Sequence, residues 1–299
     1  MGAGRVFAGR EILVKFAGMN DGPLQIDLQS IVRERVPAGK RRWIPRWLVR
    51  RLERLVRQEE LNGILRRTYP KEGTEFAAAA LRDLDIGVEV RGLENIPPSG
   101  RFIFASNHPL GGLDGIALIS VLGAVYGDDG LRFPVNDMLM NVRPLRGVFI
   151  PINKFGRQGR EAARQLARTY ESEAQVIFFP AGLVSRLHKG GEIKDLEWQK
   201  AFVAKALEYD RDIIPVHFSG RNSMKFYRAA KWRKRLGIRF NLEQLLLPSE
   251  LCEAKGSRYV ITVGKPITCG SLRHSGKSPK QLAAHIRDIV YALPDANIS

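Results

Sequence analysis

Residues 101–115 read RFIFASNHPLGGLDG and join a short apolar run to a longer one. The first run, 101–105, has the composition of a buried strand, and residues 116–122 have helix length and apolar faces. His108 is therefore predicted to lie in a strand-to-helix turn, with Asp114 near the start of the helix. Such turns are exposed yet firmly supported, which suits catalytic side chains. The alternative is an ordinary turn in which Asp114 caps the helix.

Outward from this turn, apolar strand candidates alternate with helical patterns. The strand candidates are 87–92, 131–135, 147–152, 176–180, 213–218 and 259–263. The helical patterns after the turn are 158–172, 196–208, 221–235 and 278–292. This alternation predicts an α/β fold with a mostly parallel central sheet flanked by helices. Residues 1–85 are predicted to form an N-terminal helical extension, with a basic amphipathic helix at about 44–57.

The composition is that of a globular protein with an unusual charge. Hydrophobic residues make up 44% of the 299 residues, which is ordinary, but the formal net charge is +17. That charge predicts an anionic partner: nucleic acid, an acidic membrane surface, or phosphorylated or carrier-bound substrates. The two cysteines have neither zinc nor disulfide spacing, which indicates a reducing compartment. We find no signal-peptide pattern and no apolar run near the roughly 20 residues of a membrane-spanning helix.

Two segments carry most of the excess charge. Residues 40–57 hold eight cations and one acid, residues 225–239 hold seven cations and no acid, and together they carry +14. The first pattern is typical of an interfacial anchor and equally of a surface helix packed on the core. Cations interleaved with aromatic residues suit anionic lipid and also nucleic acid. The candidate membrane-binding residues are Trp43, Arg46, Trp47, Arg50, Arg51, Arg54, Lys231, Trp232 and Arg233.

Polar and small residues follow two other strand candidates. The turn after 147–152 has two glycines and several cations and opens a helix, which suits an anion site or a solvated loop. The turn at 180–186 has small residues that let backbone N–H groups face a ligand. Because the carboxyl ends of parallel strands meet at one sheet edge, both turns are expected beside His108. None of the other histidines has metal-ligand spacing, so no metal site is expected.

Four blocks in order resemble the glycerolipid acyltransferase family, of the lysophosphatidic acid acyltransferase type. They are Asn107-His108 with Asp114, GVFIPINK at 147–154, FPAGLVSR at 179–186, and IIPV at 213–216. The resemblance covers about residues 88–266 and implies a single acyltransferase-like domain over 86–299. The variant block NHPLGGLDG also looks like a bacterial subgroup described as hemolysin-like or as making amino-acid-containing lipids.

Two positions depart from the family pattern. Five residues rather than four separate His108 from Asp114, and Ala181 stands where the family usually has glutamate. Glycine tolerates backbone conformations that other residues avoid, so Gly111 and Gly112 can let the loop bulge. We therefore expect the imidazole of His108 to remain within hydrogen-bond reach of the Asp114 carboxylate.

The resemblance implies an O-acyltransferase in which His108 is the general base and Asp114 orients and stabilises its imidazole. The acyl donor would be an acyl-acyl carrier protein or acyl-coenzyme A, with no bound cofactor. The acceptor would be the hydroxyl of a lyso-amino-acid lipid or of lysophosphatidic acid. The candidate substrate-binding residues are Asn107, Lys154, Arg157, Gly182, Ser185 and Arg186.

The expected location of such an enzyme is the cytoplasmic face of the inner membrane, as a peripheral protein held by anionic lipid. The alternative is a basic nucleic-acid-binding protein without catalysis, which the charge and the Trp/Arg mixture favour. Against it, the sequence has no helix-turn-helix, zinc or RNA-binding aromatic motif.

Overall fold

The structure is a computed structural model that describes residues 25–30, 45–135, 139–152, 156–237 and 241–295. Within these ranges the α-helices are α1 (Arg46–Leu55), α2 (Gln58–Thr68), α3 (Gly73–Asp83), α4 (Gly112–Tyr126), α5 (Gly156–Glu171), α6 (Ala201–Tyr209), α7 (Met224–Arg235), α8 (Leu247–Glu253), α9 (Cys269–His274) and α10 (Pro279–Ala292). The strands are β1 (Gly87–Arg91), β2 (Phe102–Ser106), β3 (Leu131–Val135), β4 (Phe149–Pro151), β5 (Gln175–Phe178), β6 (Arg186–Leu187), β7 (Ile193–Lys194), β8 (Asp212–Phe218) and β9 (Arg258–Val263).

Seven strands form one sheet in the order β1-β9-β8-β2-β5-β3-β4. Every neighbouring pair is parallel except β8–β9, so β1 and β9 run against the other five. The predicted α/β fold with a mostly parallel sheet is therefore confirmed. Strands β6 and β7 form a separate antiparallel hairpin, which the sequence reasoning did not predict.

Strand β2 lies at the centre of the sheet, and all five of its residues are buried. Ile103 and Phe104 point to opposite faces and belong to two different core clusters. Helices α3 and α4 cover one face, and α6 and α10 cover the other. This double covering explains why the strands are continuous apolar runs rather than alternating ones. It also fixes the end of β2, from which the His108 loop (residues 107–111) begins.

The predicted boundaries of most elements agree with the structure. The predicted helix over 196–208 begins only at Ala201, because residues 195–200 run without helix past the hairpin. In the predicted N-terminal extension, α3 packs directly on α4, and Phe76 and Leu81 are part of the main core. The boundary at residue 85 stays a prediction.

Candidate active site

The His108 loop is anchored where β2 ends beside β8. Asn107 is buried, and its side-chain oxygen accepts a hydrogen bond from the Phe218 N–H at 2.7 Å. Its side-chain nitrogen donates to the Phe218 carbonyl at 2.9 Å. Both polar groups of Asn107 are thus bound to the end of β8. The sequence predicts that Asn107 contacts the substrate, but in the structure its side chain joins two strands and holds the loop.

The side chains of His108 and Asp114 meet in a hydrogen bond of 3.0 Å between Nδ1 and Oδ2. The expected contact across the longer spacing is therefore present. Asp114 is fully buried in the first turn of α4, and its carboxylate also accepts the backbone N–H groups of Leu110, Gly111 and Gly115 at 2.9–3.2 Å. Since an ionised carboxylate can only accept, Nδ1 of His108 carries the proton and Nε2 is the basic nitrogen.

The extra residue in the loop is accommodated at Gly111. Its φ is +87°, a conformation that favours glycine, and its N–H turns back to the Asp114 carboxylate. Gly112 is exposed and begins α4, while Leu110 and Leu113 on either side are buried. The glycine pair therefore closes the turn without moving Asp114 away from His108.

Phe179 fixes the plane of the imidazole. Its ring stacks on His108 with centroids 4.1 Å apart and an angle of 17° between the planes. Phe133 packs edge-on against Phe179 at 5.4 Å, which limits the rotation of that ring. Phe179 lies in the sequence block 179–186, but the sequence does not indicate its role, because only the register of β5 beside β2 places it over His108.

The pKa of His108 is raised from the ordinary histidine value. Burial lowers this pKa, but the charge of Asp114 and its hydrogen bond to the ring more than offset that effect. The charge of Asp195 acts in the same direction as Asp114, and Arg186 opposes both. The imidazole is therefore a stronger base than a histidine in water, which suits proton abstraction near neutral pH.

Ser185 supports the loop from the other side. Its N–H donates to the His108 carbonyl at 2.8 Å, and its hydroxyl donates to Asp195 Oδ1 at 2.6 Å. The same carboxylate oxygen accepts the backbone N–H of His108 at 3.2 Å. The predicted substrate contact of Ser185 is thus replaced by a supporting one. Sequence reasoning missed Asp195, which lies 87 residues beyond His108 in a stretch without motif character.

Arg186, Arg233 and Glu243 form what we call the Glu243 cluster. Glu243 is fully buried and pairs with Arg186 at 2.9 Å and with Arg233 at 2.7 Å. Arg186 also lies over the Phe226 ring, with its guanidinium carbon 5.5 Å from the centroid. Burial lowers the pKa of Arg186, and Glu243 opposes that effect.

Two predictions change because of the Glu243 cluster. Arg233 was expected to face lipid, but it is turned toward the protein and bound to a buried carboxylate. Arg186 was expected to hold a substrate anion, but its guanidinium is engaged by Glu243 and by the Val184 carbonyl. In both cases the partner, Glu243, lies far along the chain, so no local pattern indicated it.

The other predicted substrate-binding positions are placed less favourably or lie outside the description. Gly182 is exposed with a φ of +64°, and its N–H donates to the Phe179 carbonyl within the turn, so that group is not aimed at a ligand. Lys154 lies outside the described residues. Arg157 is in the first turn of α5, but its side chain is not among the described ones.

Helix α1 divides its apolar residues between two environments. Val49 and Val56 are buried against the protein, whereas Trp47 is 60% exposed and Leu48 and Leu55 are also exposed. Around them lie the exposed predicted membrane-binding cations Arg46, Arg50, Arg51 and Arg54. Trp43 lies outside the described residues. The sequence left open whether this helix meets core or lipid; one face packs on the protein and the other is open.

Helix α7 has a comparable exposed face. Met224, Trp232 and Leu236 are exposed and are spaced by multiples of four, so they lie along one side of the helix. Exposed cations flank them: Lys225, Arg228, Lys231, Lys234 and Arg235. The helix contains no acid. We call these two surfaces the α1 face and the α7 face.

A cavity of about 220 Å³ adjoins the His108 loop on the side of Leu110 and Leu113. Arg221, Glu250 and Tyr259 are among its walls. Its volume is below the roughly 300–1,000 Å³ of typical small-molecule pockets.

Two statements, on metal sites and on membrane-spanning helices, hold for the part of the chain that the structure describes. There, no group of three or more His, Cys, Asp or Glu residues is placed to hold a metal ion. In the same residues, no helix has both the length and the apolar character needed to cross a membrane.

The fold and the site together define an α/β protein in which a half-buried histidine is hydrogen-bonded to a buried aspartate at the carboxyl end of a central strand. A family model described as "Acyltransferase" matches residues 30–297. The chain belongs to this acyltransferase family, and the predicted membership of the glycerolipid acyltransferase family is confirmed. The chain is thus an acyl-transferring enzyme.

Two similar proteins are both named lyso-glycine lipid O-acyltransferase. The one from Phocaeicola vulgatus is 44% identical over 275 residues, covering 92% of this chain and 97% of that protein. The one from Bacteroides thetaiotaomicron is 42% identical over 274 residues, covering 92% of this chain and 99% of that protein. Among solved structures, the 1-acyl-sn-glycerophosphate (LPA) acyltransferase PlsC from Thermotoga maritima aligns over 85% of this chain and 94% of that chain, with 15% identity and a TM-score of 0.43.

Proposed function

We propose that this enzyme transfers a fatty acyl group from an acyl thioester to the hydroxyl of a lyso-lipid, with His108 as the general base. The observation that carries the proposal is the 3.0 Å hydrogen bond between His108 Nδ1 and the buried Asp114 carboxylate. This bond leaves Nε2 as the proton acceptor and fixes the ring that bears it. The raised pKa of His108 supports the same role.

The reaction conserves atoms and charge without any further reagent. Nε2 takes the proton of the acceptor hydroxyl as the oxygen attacks the thioester carbonyl carbon. The tetrahedral intermediate then collapses, the carbon–sulfur bond breaks, and the thiolate takes the proton from the imidazolium. Asp114 stabilises the imidazolium through its charge and keeps the ring in the reactive orientation. The products are the acylated lipid and the free thiol.

The names of the two relatives favour a lyso-glycine lipid as the acceptor. This agrees with the sequence-based expectation of a lyso-amino-acid lipid, with lysophosphatidic acid as the other candidate. We further propose that the donor is an acyl-acyl carrier protein or acyl-coenzyme A. Both carry phosphate groups or acidic residues, which the charge of +17 would attract.

We also propose that the reaction takes place at a membrane surface, on the cytoplasmic face of the inner membrane. The α1 and α7 faces support this, since each combines an exposed tryptophan with flanking cations. A nucleic-acid-binding protein without catalysis does not fit an acyl-transferring enzyme.

The test is an assay with purified protein and anionic vesicles that contain either a lyso-glycine lipid or lysophosphatidic acid. Each acceptor is offered with acyl-acyl carrier protein and with acyl-coenzyme A, and the product is measured by mass spectrometry. We expect the diacyl glycine lipid to form fastest. Faster acylation of lysophosphatidic acid would overturn the proposed acceptor, and no product from either lipid would overturn the proposed function.

A further inference from the structure

We propose that Asp195 is a positioning residue that holds the main chain of His108 and thereby aims its imidazole. The inference rests on the proposed role of His108 as the base. Asp195 is fully buried and lies in no motif of the sequence analysis. It reaches His108 through the backbone rather than through the imidazole ring.

Two residues, Asp195 and Ser185, bind the two backbone polar groups of His108. Its N–H donates to Asp195 Oδ1 at 3.2 Å, and its carbonyl accepts the Ser185 N–H at 2.8 Å. Ser185 and Asp195 are themselves joined by the 2.6 Å hydrogen bond from hydroxyl to carboxylate. The peptide groups on both sides of His108 are therefore fixed from one direction, while Asp114 fixes the ring from another.

The β6–β7 hairpin brings these two residues together. Its register pairs Arg186 with Lys194, so the residues just outside, Ser185 and Asp195, face each other at the open end. Two residues that are ten positions apart along the chain can therefore form a hydrogen bond. The hairpin thus places this pair of side chains beneath the His108 loop.

The far side of Asp195 is held by the protein core. Oδ2 accepts the indole N–H of Trp198 at 2.9 Å. The backbone N–H of Asp195 donates to the Tyr291 hydroxyl, and its carbonyl accepts from Arg287, each at 2.8 Å. Tyr291 and Arg287 belong to α10, so this helix supports the His108 loop through Asp195. A carboxylate this well bound cannot shift without moving several partners.

The charge of Asp195 adds a second effect. The charged groups acting on the imidazole are Asp114 from α4, Asp195 itself, and Arg186 from β6. The two carboxylates raise the pKa of His108, and the guanidinium lowers it. The pKa of Asp195 is raised overall, because burial raises it more than the hydrogen bonds from Ser185, Trp198 and His108 lower it. Removing the charge of Asp195 should therefore weaken His108 as a base and move the acidic limb of the pH–rate profile to lower pH.

The experiment compares Asp195→Asn with the full-length wild-type enzyme in the vesicle assay. Asparagine keeps the shape but loses the charge and one acceptor. We expect kcat to fall about 10- to 100-fold, as for a lost hydrogen bond to a charged group, with little change in the acceptor KM. We also expect the acidic limb of the kcat profile to move to lower pH.

Asp212→Asn is the matched control. Asp212 also accepts a backbone N–H, that of Cys269 at 2.7 Å, but it lies at the opposite end of the strands from His108. A purely structural role of Asp195 would lower the amount of folded enzyme without moving the pH profile, as would a destabilised control. A wild-type kcat and an unmoved profile in folded Asp195→Asn would overturn the inference.

Ser185→Ala provides a second measurement if Asp195→Asn does not fold. It removes the hydroxyl's hydrogen bonds to Asp195 and to the His108 carbonyl but leaves the carboxylate charge, so kcat should fall several-fold with an unmoved pH profile. An unchanged kcat in this variant would count against the inference. Failure here is distinct from failure of the proposed function, which would show as no product from either lipid or as activity that does not require His108.

Discussion

The His108 loop and the α7 face are built in opposite ways. In the loop and in the first turn of α4 beside it, the polar groups of Asn107 and Asp114 are buried, and each is hydrogen-bonded to specific partners. On the α7 face, Trp232 is 61% exposed and Leu236 is 67% exposed, with cations pointing into solvent around them. The His108 loop is held by directional hydrogen bonds between buried groups, whereas the α7 face offers exposed apolar area and positive charge.

This difference separates two kinds of sensitivity. A buried hydrogen-bonded group is costly to leave unpaired, so a single substitution in the loop should have a large and local effect. Exposed cations and apolar side chains add their contributions to surface binding in small and nearly independent steps. Variants that affect chemistry and variants that affect vesicle binding should therefore be separable.

His108→Ala should impair catalysis without affecting membrane binding. Removing a general base should lower kcat about 10²- to 10⁴-fold, while binding to anionic vesicles stays unchanged. The measurements are the acyl-transfer rate and vesicle flotation. His285→Ala, at an exposed position on α10, is the control and should retain full activity. Activity of His108→Ala within tenfold of the wild type would remove His108 from the mechanism.

Arg233→Gln and Lys231→Gln should give opposite results although the residues are two apart. Breaking the pair of Arg233 with buried Glu243 should lower the free energy of unfolding by about 2–3 kcal/mol, less than for a fully orphaned charge because Arg186 remains. Lys231→Gln should leave stability unchanged and weaken vesicle binding by about 1 kcal/mol. Denaturant unfolding and vesicle flotation measure the two effects, and equal behaviour of both variants would contradict this assignment.

Trp232→Ala should test the apolar part of the α7 face. If the α7 face docks on a membrane as proposed, loss of this large exposed side chain should weaken vesicle binding by about 1–2 kcal/mol, or roughly tenfold. Leu93→Ala is a suitable control, since Leu93 is 54% exposed but lies outside both basic segments. If the two variants bind vesicles equally well, the α7 face does not enter the bilayer.

The pH dependence should be the smallest and most discriminating effect. In the proposed mechanism the neutral imidazole of His108 is the base, and its pKa is raised, so the rate should rise with pH through a midpoint above about 6.5. The stabilising contribution of the His108–Asp114 pair should be full below the pKa of an unfolded histidine and lost as pH rises through the folded pKa. A midpoint at or below 6.5 in the rate profile would contradict the charge balance described for the site.

The sequence was sufficient for those features that depend on local pattern. Apolar runs separated by helical periodicity predicted the parallel sheet, and the glycines after His108 predicted a loop that still reaches Asp114. What it could not predict were contacts between distant segments. Neither Asp195 beneath His108 nor Glu243 between two arginines has a local signal, because each depends on how separate elements pack. For the same reason, no local pattern around Asn107 indicates that its side chain links β2 to the end of β8.

The link between Asn107 and Phe218 has a consequence for the order in which the molecule is completed. The two residues are 111 positions apart, so the turn that carries His108 is not held until β8 has docked beside β2. Contacts of such separation form late, since a long loop must close first. A nascent chain that has already produced the whole NHPLGGLDG block therefore still lacks this anchor for the His108 loop. We therefore expect activity to appear only after β8 has been synthesised and has docked beside β2.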